Sequence, residues 1–144
     1  MIETVAVGTD GSDTARKAVD FAVDLAQKYG ARLVAISAYR PVSESRLRRE
    51  QQHAPEDALW KINPTEDVDG ILADVEDLAH GAGLEVTTVA SDGDPADVLV
   101  RFAAEQDADV LVIGNKGMQR KLLGSVPNSV AHNAACTVVV VKTT

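Results

Sequence analysis

Aromatic residues are scarce in this 144-residue sequence, at 3% against 45% hydrophobic overall, so any core must be built from Ala, Val, Leu and Ile. Small aliphatic side chains of that kind suit helices packed on a buried parallel sheet, whose strands read as unbroken aliphatic runs. Cysteine is limited to Cys136, which excludes an internal disulfide and agrees with a reducing compartment. Its place at the head of an aliphatic run reads as a buried small hydrophobe. Basic charge is in the minority: 14 Lys and Arg against 22 Asp and Glu leave a formal net charge of -8. That balance argues against nucleic acid or an anionic membrane as partner, and a nucleotide would need local backbone amides to overcome it. No stretch reaches the roughly 20 apolar residues of a membrane-spanning helix, and Met1-Ile2-Glu3-Thr4 does not open a signal peptide. The expected location is the cytoplasm.

What is present is a regular change of period. The length is that of one domain, residues 1–144, with one core. Val5-Ala6-Val7 reads as a strand that ends in Gly8-Thr9-Asp10-Gly11-Ser12. From Asp13, apolar Ala15, Ala18, Val19, Ala22, Val23 and Ala26 recur at helical spacing until Gly30, a C-cap residue. Asp13 is the expected N-cap, with Ser12 as competitor. A second strand covers 32–39, and a long polar connection follows over 40–64, where a short helix at 43–52 would fit. Val68, Ile71, Leu72, Val75, Leu78 and Ala79 restore helical spacing up to Gly81 and Gly83. A third strand is expected at 84–90. Asp94 is placed as N-cap, with Pro95 opening a helix that runs to about Asp107. A fourth strand at 109–113, a short helix at 125–134 and a last strand at 137–141 complete the chain. Strict alternation of strand and helix predicts an α/β fold, a doubly wound five-stranded parallel sheet with helices on both faces.

Open doubly wound sheets bind ligands outside the carboxyl ends of their strands, where the winding reverses. With strand order 3-2-1-4-5, the polar clusters after strands one and four face each other across that crevice. The second cluster holds Gly114-Asn115-Lys116-Gly117 and then Gly124-Ser125 at a helix start, with Arg120 and Lys121 between them. Glycines let backbone amides approach a phosphate, and a helix N-terminus favours an anion. Asp10 has two readings: it bonds a ribose hydroxyl or holds a divalent metal through water, or it ties down its own turn as an Asx motif. Ile36, Ser37 and Ala38, at the end of the second strand, are placed to meet a base.

Gly8-Thr9-Asp10-Gly11-Ser12, Gly114-Asn115-Lys116-Gly117 and Gly124-Ser125-Val126-Pro127-Asn128, followed by a valine strand, resemble the universal stress protein family over essentially the whole chain. The resemblance implies an adenine nucleotide, ATP, AMP or cyclic AMP, in a stress-response regulatory protein. It assigns the phosphates to Gly114, Gly117, Gly124 and Ser125, ribose or magnesium to Asp10, and the base to residues 36–38. Gly8, Thr9, Asn115 and Val126, within the same motifs, count with them among the nucleotide-binding residues. Gly117 and Gly124 enclose six residues, fewer than that family's nucleotide-binding pattern usually has, and Gly8-Thr9 stands where many ATP-binding relatives carry proline before the aspartate. Both departures keep AMP and cyclic AMP beside ATP. The resemblance also implies a homodimer through the last strand.

Slow ATP hydrolysis or self-phosphorylation is the enzymatic alternative. It requires a titrating group near the attacking oxygen. His53, His80 and His132 read as surface or capping residues, and no Walker A sequence is present. A phosphoacceptor signalling domain would need an acidic residue such as Asp92 at the end of the middle strand, and it leaves the glycine loop unexplained.

Overall fold

A computed structural model describes residues 1–40, 63–115 and 125–143. The elements are β1 (Thr4–Gly8), α1 (Asp13–Tyr29), β2 (Arg32–Arg40), β3 (Asn63–Pro64), α2 (Thr65–Gly81), β4 (Val86–Asp92), α3 (Pro95–Glu105), β5 (Val110–Gly114), α4 (Ser125–Asn133) and β6 (Thr137–Val141). The helix expected at 43–52, His53, Lys116, Gly117, Arg120, Lys121 and Gly124 lie outside the described residues.

All strand pairs are parallel, and the five long strands lie in the order β4-β2-β1-β5-β6. This is the expected order 3-2-1-4-5. Alternate residues of each strand serve opposite faces. Val5 and Val7 join Leu33, Ala35, Val110 and Val112 beneath α1 and α2. Ala6 joins Val34, Ile36, Leu111 and Ile113 beneath α3 and α4. β1 is buried along its whole length, as the central strand of such a sheet must be. Each valine or leucine fully withdrawn from water there contributes about 1.5–3 kcal/mol. The winding reverses between β1 and β5, because the chain reaches β4 by way of α1 and α2 and returns across the other face through α3.

Four local expectations are corrected. Ser12, not Asp13, caps α1: its backbone is extended, and its hydroxyl accepts from the amide of Ala15 at 3.2 Å. Asp13 falls in the first turn, where a carboxylate suits the helix dipole. The third long strand starts at Val86 rather than residue 84, because the Leu84 amide is drawn back to the Ala79 carbonyl by the turn that closes α2. Its other end reaches Asp92, since β2 continues to pair with it as far as Tyr39. α3 stops at Glu105, with Asp107 in a left-handed conformation at φ 54. Cys136 is half-buried rather than buried, and partial desolvation raises its thiol pKa. Gly30 at φ 64 and the Asp94–Pro95 start of α3 are as expected.

One element has no counterpart in the sequence reading. β3 pairs with β2 at Tyr39 and Arg40, while Tyr39 also pairs with Asp92 of β4. A strand has two edges, so β3 takes the edge of β2 that β1 leaves after Gly8, which lies opposite Ile36. It therefore stands beside the carboxyl end of β1.

Candidate functional site

The turn from β1 into α1 is held by its own side chains. The Thr9 hydroxyl accepts from the Gly11 amide at 3.1 Å. Asp10 Oδ1 accepts from the Ser12 amide at 3.0 Å and from its hydroxyl at 2.6 Å. The Asx motif, one of the two readings of Asp10, is thus what the described hydrogen bonds form. Thr9 and Asp10 are 3% and 1% exposed, so the turn begins inside the protein and surfaces at Gly11. Two bonds lock it to the neighbouring strand: the Thr9 amide donates to the Ile36 carbonyl at 3.0 Å, and Ser37 Oγ donates to the Thr9 carbonyl at 2.8 Å.

Two glycines of this turn answer to packing. A Cβ on Gly8 would stand 2.6 Å from Leu99 Cδ2, so α3 presses directly on the end of β1. Gly11 sits at φ +79, with Ile71 of α2 at 2.6 Å from the place of its missing Cβ. That conformation favours glycine, and the close approach reinforces the choice.

The exit of β5 is built differently. The Asn115 amide donates to the Val141 carbonyl at 3.0 Å, extending the β5–β6 ladder by one step. Asn115 is 2% exposed, and its Oδ1 accepts from both the amide and the hydroxyl of Thr143, each at 2.8 Å. Lys17 Nζ on α1 donates to the Thr143 carbonyl at 3.2 Å. A Cβ on Gly114 would meet Thr143 Cγ2 at 3.1 Å.

The structure therefore brings most of the sequence-selected residues to one end of the sheet. Gly8, Thr9 and Asp10 adjoin Ile36, Ser37 and Ala38 directly. The β1–β5 register of Val7 with Val112 sets Gly114 and Asn115 alongside them. Val126, in the first turn of α4, packs in the same cluster as Ile36, Ala38 and Ile113, which carries the start of α4 and exposed Ser125 toward that end. Gly117 and Gly124 belong to the same set but fall outside the described residues. Thr143, Lys17, Leu99, Ile71 and β3 complete the surroundings and were not picked out from the sequence as part of the site.

Other polar features lie elsewhere. His80 and His132 occupy the last turns of α2 and α4. In a parallel α/β sheet those turns sit at the amino ends of the strands, the rim away from Asp10. Asp109 is also at that rim, where its carboxylate accepts from the amides of Glu3 at 2.8 Å and Thr4 at 3.0 Å. These two bonds, Glu3 first, hold its pKa below the ordinary value. A cleft of about 440 Å³ between Gln27, Arg32, Ala82 and Glu85 opens at the same rim. Among the described residues, no three His, Cys, Asp or Glu side chains are grouped to hold a metal ion. A magnesium ion at Asp10 would take its remaining ligands from phosphate and water, which that hard cation accepts readily. No described helix is long and apolar enough to cross a membrane.

Comparison with known proteins agrees with this architecture. The model of the universal stress protein family matches residues 1–142. The universal stress protein Rv1636 of Mycobacterium tuberculosis is 40% identical over 146 residues, covering 99% of this chain and 97% of its own. The universal stress protein YxiE of Bacillus subtilis is 30% identical, covering 99% of this chain and 100% of its own. Among solved structures, a universal stress protein in complex with cAMP superposes with a TM-score of 0.76 at 34% identity, over 99% of this chain and 98% of that one. A match of this extent, on a sheet of the same order, settles descent: the chain belongs to the universal stress protein family.

Proposed function

We propose that this protein is a stress-response regulatory protein that binds an adenine nucleotide, cyclic AMP, AMP or ATP, at the carboxyl ends of β1, β2 and β5. The observation that carries the reading is the buried Thr9–Asp10 corner, tied to Ile36 and Ser37 at the point where the winding reverses. A 34% identical relative is in complex with cAMP, which supports a nucleotide of this class. In this reading Ile36, Ser37 and Ala38 meet the base, and Gly114, Gly117, Gly124 and Ser125 turn amides toward phosphate. Asp10 takes the ribose or a water-bridged magnesium with the carboxylate that also holds its turn. Nucleotide occupancy is the signal, read by a partner protein, and turnover is negligible.

Calorimetric titration with cyclic AMP, AMP and ATP tests this. Saturable binding of at least one is expected, weakened at least tenfold by Gly117→Val. Absence of binding by all three rejects the reading. Gly114→Val is a poor probe, because its side chain would collide with Thr143 whether or not a phosphate binds there. Asp10→Asn is sharper: an amide oxygen still accepts from Ser12 but the charge is gone. Phosphate release by the wild-type chain that disappears in Asp10→Asn would replace the regulatory reading with the enzymatic one.

We also propose a cytoplasmic homodimer formed through β6. Val138 to Val141 are each only partly buried on a strand that pairs with β5 on one edge, and an aliphatic edge of this kind calls for a cover. Light scattering that shows a monomer at micromolar concentration would reject the dimer.

A further inference from the structure

The segment after β6 has no place in the nucleotide reading, yet it holds a buried polar residue whose amide, hydroxyl and carbonyl are all hydrogen-bonded. Thr143 is 3% exposed. Its amide and hydroxyl both donate to Asn115 Oδ1 at 2.8 Å, and its carbonyl accepts from Lys17 Nζ at 3.2 Å. Its methyl group fills the space over Gly114, 3.1 Å from where a Cβ would be. Asn115 is the last described residue before the glycine-bearing stretch 116–124. The side chain that the motif would offer to a ligand thus has its oxygen turned to the protein's own chain.

We propose that Thr143 is a positioning residue for the nucleotide site, and that the Asn115 Oδ1 acts there through Thr143 rather than through the ligand. The physical reason is directional. The β5–β6 ladder sets where β5 lies, and its last backbone bond among the described residues is the one from the Asn115 amide to Val141. Next to that bond, the side-chain bonds of Asn115 with Thr143 fasten the end of β5 to the tail. The paired acceptor at Asn115 Oδ1 fixes the rotamer of Asn115 and holds its backbone against the tail. Lys17 couples the same tail to α1, whose first turn carries the Ser12 cap and follows directly from the Thr9–Asp10 corner. The two polar corners of the crevice are therefore joined through Thr143 as well as through the sheet. In a binding site, small errors in the heading of a phosphate loop cost affinity because its amides must converge on one anion.

The proposal rests on the nucleotide reading for its functional half and on geometry alone for its structural half, so the test has two arms. In the first, without ligand, hydrogen exchange is compared in the wild type, Thr143→Val, Thr143→Ser and Lys17→Met. Thr143→Val keeps the shape of the side chain and removes the hydroxyl. Faster exchange over 114–125 in Thr143→Val and Lys17→Met, with wild-type exchange in Thr143→Ser and in β2 of every variant, is the expected result. Unchanged exchange over 114–125 in both Thr143→Val and Lys17→Met overturns the positioning role. In the second arm the same proteins are titrated with cyclic AMP and AMP. Thr143→Val is expected to bind about fivefold more weakly, the scale of one neutral hydrogen bond, and Thr143→Ser to bind as the wild type does. Equal affinity in Thr143→Val and the wild type overturns the link to binding. A wild type that binds neither nucleotide overturns that link together with the nucleotide reading, while the exchange arm still decides whether Thr143 directs the chain leaving β5.

Discussion

The two polar corners at the carboxyl end of the sheet differ in how much of their shape is set by neighbouring residues. After β1, the side-chain clamps inside the turn span two or three residues, Thr9 to Gly11, Asp10 to Ser12 and Ser12 to Ala15, and two further bonds tie Thr9 to Ile36 and Ser37 of β2. After β5, the clamp joins Asn115 to Thr143, 28 residues away, and Thr143 to Lys17 at a still longer range. Short-range clamps close small loops and cost little chain entropy, so they form with the turn itself. The long-range clamp exists only once β6 has paired with β5. The first corner is a local motif embedded in a fold, and the second is a product of the fold.

That contrast orders the expected effects of mutation. Asn115→Leu is predicted to be the most damaging, because it leaves the buried amide and hydroxyl of Thr143 without their acceptor; a loss of about 3 kcal/mol in urea unfolding is expected. A loss under about 1 kcal/mol would mean that the tail finds another partner, and the contrast would fail. Gly11→Ala strikes the local corner through backbone strain at φ +79 and through Ile71, which must move aside. About 1.5–2 kcal/mol is expected, with part regained when Ile71→Ala is added. Because Ile71 is only partly buried and can shift, the collision there is the lesser share. Ser12→Ala removes the cap of α1, at a cost of about 1 kcal/mol, while Ser12→Gly should cost only a few tenths. If Ser12→Ala is as stable as the wild type, the hydroxyl bond to Ala15 contributes nothing measurable.

The smallest effect concerns a third polar fastening, Asp109 at the amino end of the sheet. Its pKa is lowered in the folded state by the amides of Glu3 and Thr4. A carboxyl with a depressed folded pKa contributes stability that is present above its unfolded pKa and is lost as pH falls through the folded value. Wild-type stability should therefore decline more steeply than that of Asp109→Asn as pH drops below about 4. The site is exposed and screened, so the difference is expected to be slight. Identical acid limbs in the two proteins would show that these amides are served equally well by water.

How far the sequence could be read follows the same division. The strand-helix alternation, the order of the long strands and the apolar stripe Val68, Leu72, Val75 and Ala79 of α2 were legible because period and burial are local properties. Candidate site residues were legible at Gly8 to Asp10 because glycine and short polar residues after an aliphatic run have few other uses. Gly8 was selected as part of the first motif and Gly114 for an approach to phosphate, yet each also makes room for a side chain from elsewhere, Leu99 and Thr143. Nothing in a linear pattern names that side chain. The choice between Ser12 and Asp13 as cap was beyond composition for a related reason: Asp10 decides it, by gripping Ser12 with the hydroxyl aimed at Ala15.

By its own pattern, then, the chain determined that it would form a twisted parallel sheet with aliphatic faces and a crevice beside β1, since periodicity and turn chemistry act on neighbouring residues. The tertiary structure decided what closes that crevice. It set β3 in the slot beyond Gly8, laid Ile71 and Leu99 on the two faces of the first corner, and buried Thr143 against Asn115. These contacts join residues far apart in the chain, and their geometry is specified only when the strands between them have found their register.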